Sequence, residues 1–277
     1  MTASDRRRRP ILTRRALPGL GLALLAGQGA ARAQEAAGPL RIALATSISN
    51  QAIEAAAAEA KAQGLAVRLT EFADWVTPNR SVFFGEQDAN LFQHRPYLTY
   101  TNAQSGWNLV PVAPAYATAF GLYSKRHATL AALPEGARIG YSGDVINTGR
   151  SLMLLRQAGL LRLRDGAEER ATPEDILDNP RRLRLVSIDG PQIARTLDEL
   201  DAAVTYPTFA RLGGLDPDQA LTVENDPRYA FHFVARPDRA EDARLRRFIR
   251  IYQNSDAVKA VLRQLYGAQV SFPDPSL

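Results

Sequence analysis

No cysteine occurs anywhere in the 277 residues. Disulfide staples, thiol catalysis and cysteine-ligated zinc are therefore excluded. Histidine is almost as scarce. His94, His127 and His232 are the full set. None has a second His, Asp or Glu three or four residues on, so no metal is expected. Nucleotide and nucleophile motifs are missing too. Gly140-Tyr141-Ser142-Gly143 lacks the spacing of a nucleophile elbow. The G-x-G spacings, Gly19 to Gly21 and Gly27 to Gly29, both lie in the leader, and no cofactor is expected. Long apolar runs are also lacking. A spanning helix needs about 20 apolar residues, and the run Ala16 to Gly27 is shorter and rich in glycine.

That run belongs to a three-zone leader. Arg6, Arg7, Arg8, Arg9, Arg14 and Arg15 precede it, and Ala31-Arg32-Ala33 follows. Small residues at the −3 and −1 positions before Gln34 complete the layout of a cleaved secretory signal over residues 1–33. Thr13-Arg14-Arg15-Ala16-Leu17 also fits a twin-arginine signal. Removing the leader changes the charge balance. The chain has 34 basic and 29 acidic residues, and residues 1–33 hold seven Arg and one Asp. What remains is 27 basic against 28 acidic, so the basic excess belongs to the leader. Nothing then points to nucleic acid or to an anionic membrane surface. The remaining 244 of 277 residues suffice for one large domain or two lobes, burying about 70–75% of the unfolded surface.

Short β-rich runs alternate with helical patterns. Strands are predicted at Leu40 to Ala45, Leu65 to Thr70, Ala137 to Ser142, Leu183 to Ile188 and Ala202 to Tyr206. Helices are predicted at Asn50 to Ala62 with Asn50 as cap, at Thr148 to Ala158, and at Pro173 to Leu177 behind Thr172. Strands separated by helices imply parallel sheets in an α/β protein. Near the end, Leu245, Phe248, Ile249 and Tyr252, then Val258, Val261, Leu262 and Leu265, mark two amphipathic helices facing a core.

Two segments look like a site. The first runs from Phe72 through Trp75 to Asn79, then from Asp88 to Leu98. It sets Trp75, Phe92, His94 and Tyr97 among polar residues and prolines. Aromatic side chains with polar edges make pocket walls, though a core needs aromatics too. The second is Asp144 to Leu152, a turn leading into a helix with Arg150 placed in its first turn. A cation there opposes the helix dipole unless an anion is near. Free N–H groups and a bidentate guanidinium together suit a carboxylate. Pairing of Arg150 with Asp144 or another acid is the other reading.

At these residues the sequence resembles the methionine-binding, NlpA-type lipoproteins, the substrate-binding components of ABC methionine importers. Asp88-Ala89-Asn90-Leu91-Phe92-Gln93-His94-Arg95-Pro96-Tyr97-Leu98 is similar to that family's D-A-N-x-F-Q-H-x-P-Y-L signature. Asn147-Thr148-Gly149-Arg150-Ser151-Leu152 is similar to its N-x-G-R-[SA]-L segment, and Gly121 to Lys125, Gly159 to Leu163 and Asn179-Pro180 continue in register. The resemblance implies a type II periplasmic binding protein, with two α/β lobes joined by two crossing strands and a ligand cleft between them. Lobe one would hold 34–120 and 226–277, and lobe two 121–225.

It also implies roles. Trp75, Phe92 and Tyr97 would wall the ligand's side chain, His94 would line the cleft, and Asn147 and Arg150 would bind a carboxylate. The protein would be a binding monomer rather than an enzyme, delivering methionine or a related amino acid to an importer permease and ATPase. Three departures stand out. The lipobox cysteine is missing, so a soluble periplasmic protein is expected. Tyr206 and Phe231 replace two family asparagines, which changes the hydrogen bonds on offer and hence specificity. Another small carboxylate or a dipeptide is therefore an alternative ligand. Two further alternatives are an enzyme on this scaffold with His94 as general base, and a sensor or structural protein with an unused cleft.

Overall fold

A computed structural model of the protein describes residues 38–274; the leader over residues 1–33 lies outside them. In chain order the strands are β1 Leu40–Ala45, β2 Val67–Phe72, β3 Ala89–His94, β4 Val110–Thr118, β5 Phe120–Tyr123, β6 Arg138–Ser142, β7 Arg162–Leu163, β8 Ile176–Asp178, β9 Arg184–Ile188, β10 Ala202–Thr205, β11 Thr222–Glu224, β12 Phe231–Ala235 and β13 Val270–Ser271. The helices are α1 Asn50–Ala62, α2 Thr77–Phe83, α3 Arg95–Ser105, α4 Val145–Gln157, α5 Ile193–Thr196, α6 Pro207–Leu212, α7 Ala243–Asn254 and α8 Asp256–Tyr266.

The strands form two main sheets. The first has the order β13-β4-β12-β3-β1-β2, with β1 parallel to both β2 and β3 and the remaining pairs antiparallel. The second has the order β11-β5-β10-β6-β9, with β6 parallel to β9 and β10. The chain passes from β4 to β5 across the single residue Ala119. It returns from β11 to β12 through the short turn at Pro227–Tyr229. Each sheet has its own core. Leu40, Ile42, Leu44, Phe233, Phe248, Tyr252 and Leu262 pack in one, and Phe120, Leu122, Ile139, Leu152, Leu155 and Val204 in the other. This is the two-lobed α/β periplasmic-binding-protein fold.

Local chemistry explains most boundaries. The near-continuous burial of β1 is that of a parallel strand covered on both faces. Ser255 ends α7 and caps α8, its hydroxyl accepting from the Val258 N–H at 3.1 Å. The buried stripe Leu245, Phe248, Ile249 and Tyr252 follows the predicted spacing. Asp144 caps α4 by accepting from the Asn147 N–H at 3.0 Å. The helix therefore starts at Val145, three residues before the predicted start, and Arg150 sits in its second turn. The dipole argument for an anion at Arg150 is weakened accordingly, because the dipole's effect fades beyond the first turn.

Two other expectations are corrected. Asn50 does not cap α1; Ser49 holds that position, and the Asn50 amide donates to the Ala45 carbonyl at 3.0 Å and to Glu71 at 2.8 Å. The segment Pro173 to Leu177 is no α-helix. Thr172 and Asp175 form a capping box over one tight turn, and Ile176–Asp178 then pairs with β7.

Candidate functional site

Residues at the carboxyl ends of β1, β3 and β10, namely Ala45, His94 and Tyr206, border one space, the usual place for a ligand crevice in open α/β sheets. A cavity opens there, lined by residues of both sheets. It is bordered by Ser47 and Ser49 after β1, Phe92 and His94 of β3, Asn147 of α4, Tyr206 and Thr208 after β10, and Phe231 of β12.

Seven of the eight predicted site residues border this cavity: Trp75, Phe92, His94, Tyr97, Asn147, Tyr206 and Phe231. Trp75 and Tyr97 meet edge to face at 6.3 Å, and Phe92 meets Tyr97 at 6.1 Å. Such pairs hold each other in fixed orientations. Trp75 also packs on Phe209 at 6.2 Å and lies over Gly190, where an added Cβ would meet the indole at 2.2 Å. The indole, carried on the loop after β2, thus reaches the second sheet's core. Phe231 stacks on Tyr116 at 4.9 Å.

His94 ends β3 and caps α3. Its Nδ1 accepts the Tyr97 N–H at 3.2 Å, which leaves the proton on Nε2. That N–H donates across the cleft to the Tyr206 hydroxyl at 3.2 Å. The Tyr206 hydroxyl donates in turn to Asn147 Oδ1 at 2.9 Å and accepts from Arg150 Nη1 at 3.2 Å. Burial, and after it the charge of Arg150, hold the His94 imidazole well below its ordinary pKa, so it is neutral. Burial also pushes the Tyr206 phenol well above its ordinary value, keeping it protonated.

Arg150 is the predicted residue that does not border the cavity. It lies behind Tyr206, with its side chain 2% exposed. Its Nε donates to Glu224, and its guanidinium sits between the rings of Tyr229 at 3.9 Å and Phe120 at 4.3 Å. Of the two readings given for this residue, the structure displays the pairing with an acid, and that acid is Glu224 rather than Asp144. Asp144 instead accepts from the Asn147 amide at 2.8 Å and from Ser142 at 2.9 Å.

Much of the Asp88-to-Leu98 signature is scaffold. Asp88 takes the Arg41 guanidinium at 2.7 Å and the Arg41 N–H at 2.9 Å, tying β3 to β1. Asn79, Asn90 and Gln93 form a buried amide cluster, with Asn79 donating to Gln93 and Asn90 donating to Asn79, each at 2.9 Å.

Sequence reasoning missed the hydroxyl groups. Ser47 and Ser49 lie 2.7 Å apart, and the Tyr116 hydroxyl donates to Ser49 at 3.0 Å. Thr208 and Tyr266 lie 2.5 Å apart, and Ser47 reaches Thr208 at 3.5 Å across the cleft. Thr46-Ser47-Ile48-Ser49, between β1 and α1, was the one available signal, a run of small hydroxyls at a strand's carboxyl end.

Comparison with known proteins yields consistent matches. Residues 40–272 match the family described as NlpA lipoprotein. The chain is 33% identical to the D-methionine-binding lipoprotein MetQ of Salmonella typhi, covering 83% of this chain and 87% of that one. It is 36% identical to the probable D-methionine-binding lipoprotein MetQ of Vibrio cholerae, covering 79% and 83%. A solved methionine-binding protein MetQ superposes with a TM-score of 0.81 at 32% identity, over 84% of this chain and 97% of that one. A nutrient-binding protein from Burkholderia cenocepacia bound to methionine superposes at 0.76 and 30% identity, over 83% and 98%.

Proposed function

The chain belongs to the NlpA lipoprotein family, and on that footing we propose that it is the substrate-binding component of an ABC importer, capturing a small solute between two lobes. We assign 34–120 and 226–277 to one lobe and 121–225 to the other. Trp75, Phe92, Tyr97 and Phe231 wall the solute; His94, Asn147 and Tyr206 line the polar side of the cleft; Arg150 acts from behind Tyr206. The observation that carries the proposal is the cavity itself, bordered from both sheets at the strands' carboxyl ends. An open form admits the solute, and closure brings Trp75 onto Gly190 and His94 onto Tyr206. The solute shifts the population because only the closed form makes both sets of contacts. The closed form then docks on the permease.

Methionine, named in the relatives, is the starting candidate. A different small solute is the second reading, favoured by Tyr206 standing on the cavity wall where Arg150 does not. Capture without chemistry is supported by His94, whose two ring nitrogens are engaged by Tyr97 and Tyr206 and which no acid orients. We place the protein, after export, in the periplasm as an unanchored monomer. In support, the chain has no cysteine to carry a lipid, and no helix among the described residues is long and apolar enough to cross a membrane.

Fluorescence tests the proposal. Trp75 and Trp107 are the two tryptophans, and Trp107 stacks on Phe83 away from the cavity. In a Trp107→Phe background, Trp75 is the reporter for a panel of amino acids, amides, dipeptides and small carboxylates. A saturable change with the solute recovered intact is expected. Chemical conversion of the solute would indicate an enzyme, and no response across the panel would indicate a cleft that binds nothing.

A further inference from the structure

The cavity has no formal charge on its wall. Among the described residues that border it there is no Asp, Glu, Lys or Arg. The cation behind this wall, Arg150, is paired with Glu224 through Nε and covered by Tyr206, and its buried Nη2 has no hydrogen-bond partner. Neutral donors do not make up the lack, because most are already engaged. The Tyr206 hydroxyl accepts from His94 and Arg150 and donates to Asn147. The Asn147 amide is given to Asp144, and the hydroxyls of Ser47, Ser49 and Tyr116 bond one another, as do those of Thr208 and Tyr266. A bare carboxylate entering this space would lose its water and meet no counter-charge.

Among the described residues, one fully buried side-chain polar atom without a partner belongs to the cavity wall. The Thr118 hydroxyl, at the end of β4 where the chain crosses between sheets, is buried, borders the cavity and has no hydrogen-bond partner. Buried polar groups are normally paired, so an orphan on a cavity wall marks a place for a ligand atom.

We propose that the cleft selects an uncharged small solute, one with an apolar body for the Trp75, Phe92, Tyr97 and Phe231 walls and a hydrogen-bonding group for Thr118. This rests on the reading of the cleft as a capture site. Tyr206 is then the specificity-determining residue, since its ring separates the cavity from the guanidinium.

Matched pairs test this by calorimetry on the purified protein: L-methionine against N-acetyl-L-methioninamide, and nicotinate against nicotinamide. The uncharged member of at least one pair is expected to bind about 100-fold more tightly than its charged counterpart. Thr118→Val should weaken that binding about 10-fold. Tyr206→Ala, which opens the wall toward Arg150, should narrow or reverse the preference within the pair. Glu224→Gln, which frees the Arg150 charge while keeping the Tyr206 ring, should also raise affinity for the charged member and serves if Tyr206→Ala does not fold. Charged members binding as tightly as uncharged ones would overturn the proposal and leave the capture reading standing. Folded protein that binds no member of either pair, and gives no response across the fluorescence panel, would overturn both.

Discussion

Tyr206 and His94 stand at the carboxyl ends of strands from different sheets, and their side chains meet at 3.2 Å. The phenol also serves Asn147 and Arg150, so one hydroxyl ties together β3, α4 and the end of β10. Tyr206→Phe keeps the ring and strips three buried groups of a partner. Each loss of this kind is worth about 1 kcal/mol or more, so a destabilisation of about 2–3 kcal/mol is expected in urea unfolding. A change within error would mean that the hydroxyl adds nothing to closure.

Arg150 and Glu224 form a largely buried ion pair. Removing either partner leaves a charge without its mate. Arg150→Ala and Glu224→Ala are each expected to cost about 3–5 kcal/mol, while Arg150→Met combined with Glu224→Leu should recover most of the loss. Denaturant unfolding of the three variants measures this.

Gly190 carries the Trp75 indole. A Cβ at Gly190 would meet the ring at 2.2 Å. Gly190→Ala should therefore hinder closure more than folding. Affinity for the captured solute should fall about 10-fold or more, while unfolding stability changes by about 1 kcal/mol or less. Equal loss of both would assign the glycine to the fold alone.

His94 and His232 are both held below the ordinary histidine value of 6.5, each chiefly by burial. The unfolded chain takes up protons at about 6.5 and the folded chain at lower pH. Stability is therefore complete above that value and declines as pH falls through it, by up to about 1.4 kcal/mol per pH unit for each histidine. Carboxylates with lowered values, such as Asp88, act at more acid pH. Urea unfolding between pH 7.5 and 5 should show the decline, and His94→Gln should make it shallower, leaving the share that belongs to His232.

Much of the fold could be read from local pattern. Leu40 to Ala45 and Asn50 to Ala62 match their elements, because each carries a clean apolar pattern. The start of α4 could not be read so well. Val145 and Ile146 are β-branched and read as extended, and only the Asp144 cap reveals the helix. Ile176–Asp178 becomes a strand by pairing with Arg162–Leu163, a partner that no local pattern displays. The site divides in the same way. Trp75, Phe92, His94 and Tyr97 are near in sequence and stand out together. The partner of Arg150 lies 74 residues away, and the hydroxyls of Ser49, Tyr116, Thr208 and Tyr266 meet only after the chain has crossed between sheets.

Native mass spectrometry tests solute capture most directly. Protein purified without denaturation and exposed to a periplasmic extract is expected to carry one small molecule per chain, released intact and lost in Trp75→Ala. A folded chain that never acquires such a mass, or one that keeps it after Trp75→Ala, contradicts capture at this cleft.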